Sequence, residues 1–342
     1  MRDRLERIVP AGIPPRAYAV IVAASAGQAV TVRWTWPLWE QRTSVPNLPL
    51  IEPLAQLSWG PALVVAALAT PVLPRIVGPV FCGLYVLAAL GDQTRLQPEL
   101  VSLAILMTAP AFGAQGRTIA RWHLGTLWLW AGIHKALSLG WSSGGAAFIA
   151  QSLNVPERRP LIAALLPATE IALGVIAFVP RLWKVAAVGG LALHLLIFVT
   201  LSPVFGDWNS SVWPWNIAAG IAALLLFWAP GEPLLSGVAA RAIAVVFVVY
   251  PALFYVGVAD AYLAHNLYTS NTATAAVCAS ESAPCAPAGF DTWDALNVPL
   301  PPEPRLYRDW FDTVCLPGAV LEITGVASRL TDPPSVSRHV CP

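Results

Sequence analysis

IARWHLGTLWLWAGIHKALSL, residues 119–139, is apolar for about the length of one membrane crossing and carries Lys135, one of only two lysines in the chain, near its end. An ammonium at the centre of a membrane helix costs about 3 kcal/mol on insertion scales, so a lysine kept there marks a working group. Its neighbours determine what that work is.

Outward from this run the composition sets the class. Of the 342 residues 56% are hydrophobic and only 11% charged, and 15 are tryptophan. Such a chain reads as an all-α polytopic membrane protein. A net charge of +1, with the arginines scattered singly or in pairs between apolar runs, excludes a nucleic-acid reader, which needs a basic face. The expected partners begin with the lipid bilayer.

A window of about 19 residues predicts about nine transmembrane helices. They run over Tyr18 to Val32, Leu54 to Leu73, Ile76 to Leu90, Glu99 to Phe112, Ile119 to Leu139, Leu161 to Val179, Val185 to Leu201, Trp213 to Ala229 and Arg241 to Leu263. The first span has a cleaved signal sequence as its alternative reading. With the N-terminus cytoplasmic, that side collects Arg2, Arg4, Arg7, Arg16, Arg75, Arg117, Arg121, Arg181, Lys184 and Arg241. The opposite loops hold only Arg33, Arg42, Arg95, Arg158 and Arg159, as the positive-inside rule requires of a plasma-membrane protein. The domains expected are therefore a cytoplasmic N-terminus (1–17), a transmembrane domain (18–267) and an extracytoplasmic tail (268–342).

The tail is rich in proline and reads as irregular apart from a strand around Leu321 to Val326. It holds Cys278, Cys285, Cys315 and Cys341, which in an oxidising compartment predict two disulfides with three possible pairings. A redox-active pair is the rival reading, but Cys278 and Cys285 lack the Cys-x-x-Cys spacing.

Phosphate-cradling glycine loops, zinc spacings and nucleophile elbows are absent from the sequence. The candidate site is instead a set of polar residues inside the predicted spans: Lys135 and His134 on the fifth, Glu170 on the sixth, His194 on the seventh and Asn216 on the eighth. At about 1.5 Å per residue, Lys135 sits roughly 24 Å up a core of about 30 Å, and Glu170 and His194 lie near mid-membrane. A single shared pocket in the outer half is expected. Lys135 shares a helix face with Trp128 and Ala131, and small Gly132 lets another helix or a flat ligand approach. Glu170 reads either as the counter-ion of Lys135 or as a catalytic carboxylate, and His194 as helix glue or a proton-transfer group.

These residues carry a resemblance. Ala131-Gly132-Ile133-His134-Lys135, followed by Trp141, resembles the Ala-Gly-Val-Lys-Lys segment of vitamin K-dependent gamma-glutamyl carboxylase. Asp92-Gln93-Thr94, Glu170 followed by Gly174, and His194 keep the same order, as in bacterial horizontally transferred transmembrane (HTTM) domain relatives of that enzyme. The resemblance implies Lys135 as the base that deprotonates reduced vitamin K (menaquinol) or another quinol, with Glu170 and His194 as further catalytic groups. Trp128, Ala131, His134, Asp92 and Asn216 would then line the site for a lipidic small molecule. The departures are His134 in place of the first lysine of the paired motif and a tail far shorter than the carboxylase's extracytoplasmic region.

Two functions follow as expectations. One is a carboxylase-like membrane enzyme acting on a secreted or membrane substrate, and the other a non-catalytic factor for maturation or export of a secreted peptide.

Overall fold

The computed structural model describes residues 10–42, 45–228, 238–280, 283–331 and 333–341. Arg2, Arg4, Arg7 and the end of the eighth predicted span, Ala229, lie outside the described residues. The chain is mostly helical. In order come α1 (Pro15–Trp34), α2 (Gly60–Ala69), α3 (Pro74–Gly91), α4 (Pro98–Thr108), α5 (Gly113–Leu137), α6 (Gly145–Ser152), α7 (Arg159–Ala177), α8 (Trp183–Leu201), α9 (Trp213–Trp228) and α10 (Val238–Val249). Proline at the first or second position opens α1 to α4 and α7, where its missing N–H costs no intrahelical bond.

Nine spans are not what the fold delivers. Among the described residues four helical segments are long and apolar enough to cross a membrane: Pro74–Gly91, Pro156–Ala177, Pro180–Leu201 and Ser210–Trp228. The remaining windows fail for two reasons. α2, at 10 residues, α4, at 11, and α10, at 12, reach only about 15–18 Å of a core of roughly 30 Å; α4 breaks into a 3-10 turn at Ala109–Phe112, and α10, in the ninth predicted window, passes into a 3-10 helix at Tyr250–Val256. α1 and α5 are long enough but polar: α5 alone carries Arg117, Arg121, His123, His134 and Lys135. Ser25, Gln28 and Thr31 of α1 and Arg121, His123, His134 and Lys135 of α5 are buried inside the bundle, so protein rather than lipid surrounds them.

Helix packing centres on α5 and α9. α5 lies against α7, α9 against both α8 and α1, and α1 against α4. The α5–α7 seam depends on glycine: a Cβ at Gly132 would stand 2.7 Å from the Pro167 carbonyl oxygen, and one at Gly174 would stand 2.6 Å from the Leu129 nitrogen. Backbones this close are the small-residue contact by which membrane helices associate without a hydrophobic driving force. Trp39, Trp141 and Trp215 are buried within the protein and pack in the bundle rather than at its surface.

The C-terminal region is not an irregular tail, and the all-α expectation fails there. It forms a four-stranded antiparallel sheet, order β2-β1-β3-β4, from β1 (Thr274–Cys278), β2 (Cys285–Pro287), β3 (Val320–Thr324) and β4 (Val336–Val340). Two helices, α11 (Phe290–Leu296) and α12 (Pro304–Val314), accompany it. α12 places Leu306, Tyr307, Trp310 and Phe311 on one face, where they meet Leu321 and Ile323 in a separate small core. Two disulfides staple this cap: Cys278–Cys285 across the β1–β2 pair, and Cys315–Cys341 joining the end of α12 to the end of β4.

Candidate functional site

The C-terminal end of α5 is where bundle and cap are joined. Beyond its last turn, the Leu139 N–H donates to the Ala327 carbonyl and the Arg329 N–H to that of Leu137, both at 2.9 Å. Ser138 Oγ donates to the Ser270 carbonyl at 2.8 Å. One turn earlier His134 makes the deeper connection. Its Nε2 lies 2.9 Å from the Ala264 carbonyl, which can only accept, so Nε2 carries the proton and Nδ1 accepts from the Tyr255 hydroxyl at 2.7 Å. Asn271 completes the set, donating to Tyr255 Oη at 3.0 Å and to the His134 carbonyl at 3.2 Å.

Lys135, a third of a turn on, points the other way. Its Nζ lies 2.8 Å from both Glu170 oxygens and 3.5 Å from the Ala131 carbonyl, so each ammonium proton has an acceptor. Lys135 is 6% exposed and Glu170 3%, which leaves the pair shielded from bulk water. The ammonium also stands 5.7 Å from the Trp141 ring, and Trp141 donates from its indole to the Ala163 carbonyl of α7 at 3.0 Å. The arrangement is a closed clamp between α5 and α7. A base needs a free lone pair, whereas this amine is held by a bidentate carboxylate.

His194, Trp128 and Asn216 do come together, as a second network two turns below Lys135. The Trp128 indole, which can only donate, reaches His194 Nε2 at 3.1 Å, so His194 carries its proton on Nδ1 and donates to Asn216 Oδ1 at 3.0 Å. Asn216 Nδ2 donates in turn to the Val212 carbonyl at 2.9 Å. Every polar atom of this chain across α5, α8 and α9 is used. Among the described residues no hydrogen bond links it to Lys135 and Glu170, so one shared pocket gives way to two separate networks. Ala131 serves the Lys135 clamp through its carbonyl alone.

Asp92 belongs to neither network. It is fully buried in the connection after α3, ion-paired with Arg42 and Arg95, and accepts from the Leu48 and Thr94 N–H groups at 3.2 and 3.1 Å. Arg95 reaches past it to the Leu38 and Ala88 carbonyls. Burial lowers Arg95 to about 10, a mark of how completely this loop is closed. Asp92 anchors backbone here through the Leu48 and Thr94 N–H groups.

Sequence reasoning missed Tyr255 and Asn271, whose partners lie far off in the chain, and the deep pair His123 and Ser102; it singled out Trp141 only as part of the motif around Lys135. His123 Nε2 is 2.7 Å from Ser102 Oγ, and its ring lies 5.5 Å from that of His265. The available signal was histidine in apolar sequence: four of the five histidines, all but His339, are buried in or against the bundle.

No curated protein matches the chain, and no solved structure does. Residues 114–205, just over a quarter of the chain, match the family model described as methylamine utilisation protein MauE. The match runs from α5 to just past α8 and so takes in Lys135, Glu170 and His194. It replaces the gamma-carboxylase and HTTM resemblance, which rested on a few short motifs around those same residues, and with it the reading of the chain as a quinol-dependent carboxylase-like enzyme.

Proposed function

We propose that this membrane protein serves methylamine utilisation by supporting maturation of the methylamine-oxidising dehydrogenase, acting through its cap rather than through chemistry inside the membrane. The observation that carries the reading is the match to MauE over residues 114–205, the stretch whose outer end grips the cap. On this reading Lys135–Glu170 and Trp128–His194–Asn216 are struts. They hold α5, α7, α8 and α9 in one arrangement, so that the cap stands in a fixed pose toward its partner.

Orientation fits an outward-facing cap. Arg75, Arg117 and Arg181 lie at helix ends opposite the α5 terminus that meets the cap, the end a positive-inside arrangement keeps in the cytoplasm. Two disulfides in the cap suit an oxidising compartment.

The test is complementation. In a methylamine-grown host deleted for its own MauE protein, the full chain is expected to restore growth on methylamine and dehydrogenase activity in extracts. Correct insertion in the membrane without recovery of dehydrogenase activity would sink the proposal.

A further inference from the structure

We propose that the seam between bundle and cap contains a binding site for a small organic ammonium ion. This inference is independent of the maturation reading. A cavity of about 260 Å³ opens between the connection from α8 to α9 and the short helix α11, close to the lower end of the range of roughly 300–1,000 Å³ that holds drug-sized ligands. It has room for one small ion and some of its water.

The walls select for charge. Trp208, from the connection, and Trp293, from α11, meet edge to face with centroids 4.5 Å apart, and Phe290 stands 6.5 Å from Trp293. Asp207 and Asp294 are the only charged residues lining the cavity, and neither is ion-paired among the described residues. The amides beside them are already engaged: Asn297 Nδ2 donates to Ser210 Oγ at 2.9 Å and to the Trp34 carbonyl at 3.3 Å, and Asn209 donates to the Tyr268 hydroxyl. Two carboxylates and three aromatic side chains lining the same cavity therefore remain as the recognition elements.

This combination discriminates among ligand classes. Anions meet two negative charges with no compensating cation. A calcium-like ion takes six to eight oxygen ligands, which rings do not supply. A cation whose charge is spread over methyl or methylene groups satisfies both surfaces, Coulombically with the carboxylates and through the ring quadrupoles. Three lining residues without glycine's freedom, Asp207, Asn209 and Asn297, hold left-handed backbone with φ of +41°, +45° and +57°. Aspartate and asparagine tolerate that conformation best, so the cavity's shape is written into its residue types. Since no basic residue lines the cavity to meet a phosphate, the ligand expected is a free ammonium ion rather than a phospholipid headgroup.

The test is isothermal titration calorimetry on the detergent-solubilised full chain, with choline and methylammonium chlorides as probes. Choline is expected to bind at least tenfold tighter than its neutral isostere 3,3-dimethylbutan-1-ol, and tighter than glycerophosphocholine. Asp207→Asn/Asp294→Asn should weaken choline binding at least tenfold; both side chains are exposed, and asparagine suits the backbone at position 207, so the variant should fold. Trp293→Ala should cost about fivefold and Trp293→Phe much less, by the usual size of a cation–π contact. Equal binding of choline and its neutral isostere, unchanged binding in the double asparagine variant, or absence of choline heat at millimolar concentration would each overturn the site. Glycerophosphocholine binding as tightly as choline would overturn the free ion in favour of a lipid headgroup.

Discussion

Removing one partner of the Lys135–Glu170 pair and then both separates a strut from a chemical group. The pair has two N–O contacts of 2.8 Å in a nearly inaccessible position. With an effective dielectric of about 20 the Coulombic attraction at that distance is about 6 kcal/mol, and desolvation of the two ions offsets most of it. Lys135→Met leaves Glu170 buried and unpaired, and Glu170→Gln does the same to the lysine. Either is expected to cost about 3–5 kcal/mol, the usual penalty for breaking a buried pair from one side. Lys135→Met/Glu170→Leu removes both charges and restores apolar packing, so its stability should return to within about 1 kcal/mol of the parent. Thermal unfolding in detergent, followed by size-exclusion with fluorescence detection, should show the single variants about 5–10 °C below the parent and the double variant near it. The same variants are then assayed for dehydrogenase maturation. If the double variant is stable but inactive, Lys135 or Glu170 does more than hold helices. If the single variants lose no stability, the strut itself is wrong.

Three further outcomes follow from the cap and its junction. His134→Phe keeps the ring but loses the bonds to Tyr255 and Ala264, and should make the segment around residues 255–271 cleavable in limited proteolysis while the bundle stays intact. Cys315–Cys341 closes a sequence separation of 26 and Cys278–Cys285 one of 7, so loop-closure entropy assigns about 3.5 and about 2.4 kcal/mol respectively; serine replacement of the first pair should lower the cap's unfolding midpoint more than replacement of the second. Burial raises Glu303 to about 7, against about 4.3 when unfolded. The folded cap thus binds more protons between those values, so this group's contribution is fully present below about pH 4.3 and is lost as pH rises towards 7. Glu303→Gln should flatten that decline and raise the unfolding midpoint at pH 8, and a wild-type slope in the variant would refute the assignment.

Several parts of the candidate site are legible along the chain. Lys135 and Glu170 stand out as charges in apolar runs, and one of the two sequence readings of Glu170, the counter-ion, matches the geometry. His194 and Asn216, on successive helices, meet as two polar side chains in adjacent spans often do. The ion pair of Asp92 was not legible, because its partner Arg42 is 50 residues away, in a connection with no pattern of its own. The strands β1, β2 and β4 escaped notice for a similar reason: each is five residues or fewer, and β1 finds its partner β3 only across the intervening helices α11 and α12.

The sequence by itself determined the class, a helical membrane protein with a cysteine-bearing C-terminal region, because hydropathy and residue counts add locally and need no partner. Only the tertiary structure decided which polar helices sit inside the bundle, which cysteines pair, and that the Lys135 clamp and the His194 network are separate. Those outcomes depend on helix faces meeting and strands registering across long stretches of chain, and no local property of either partner encodes that choice.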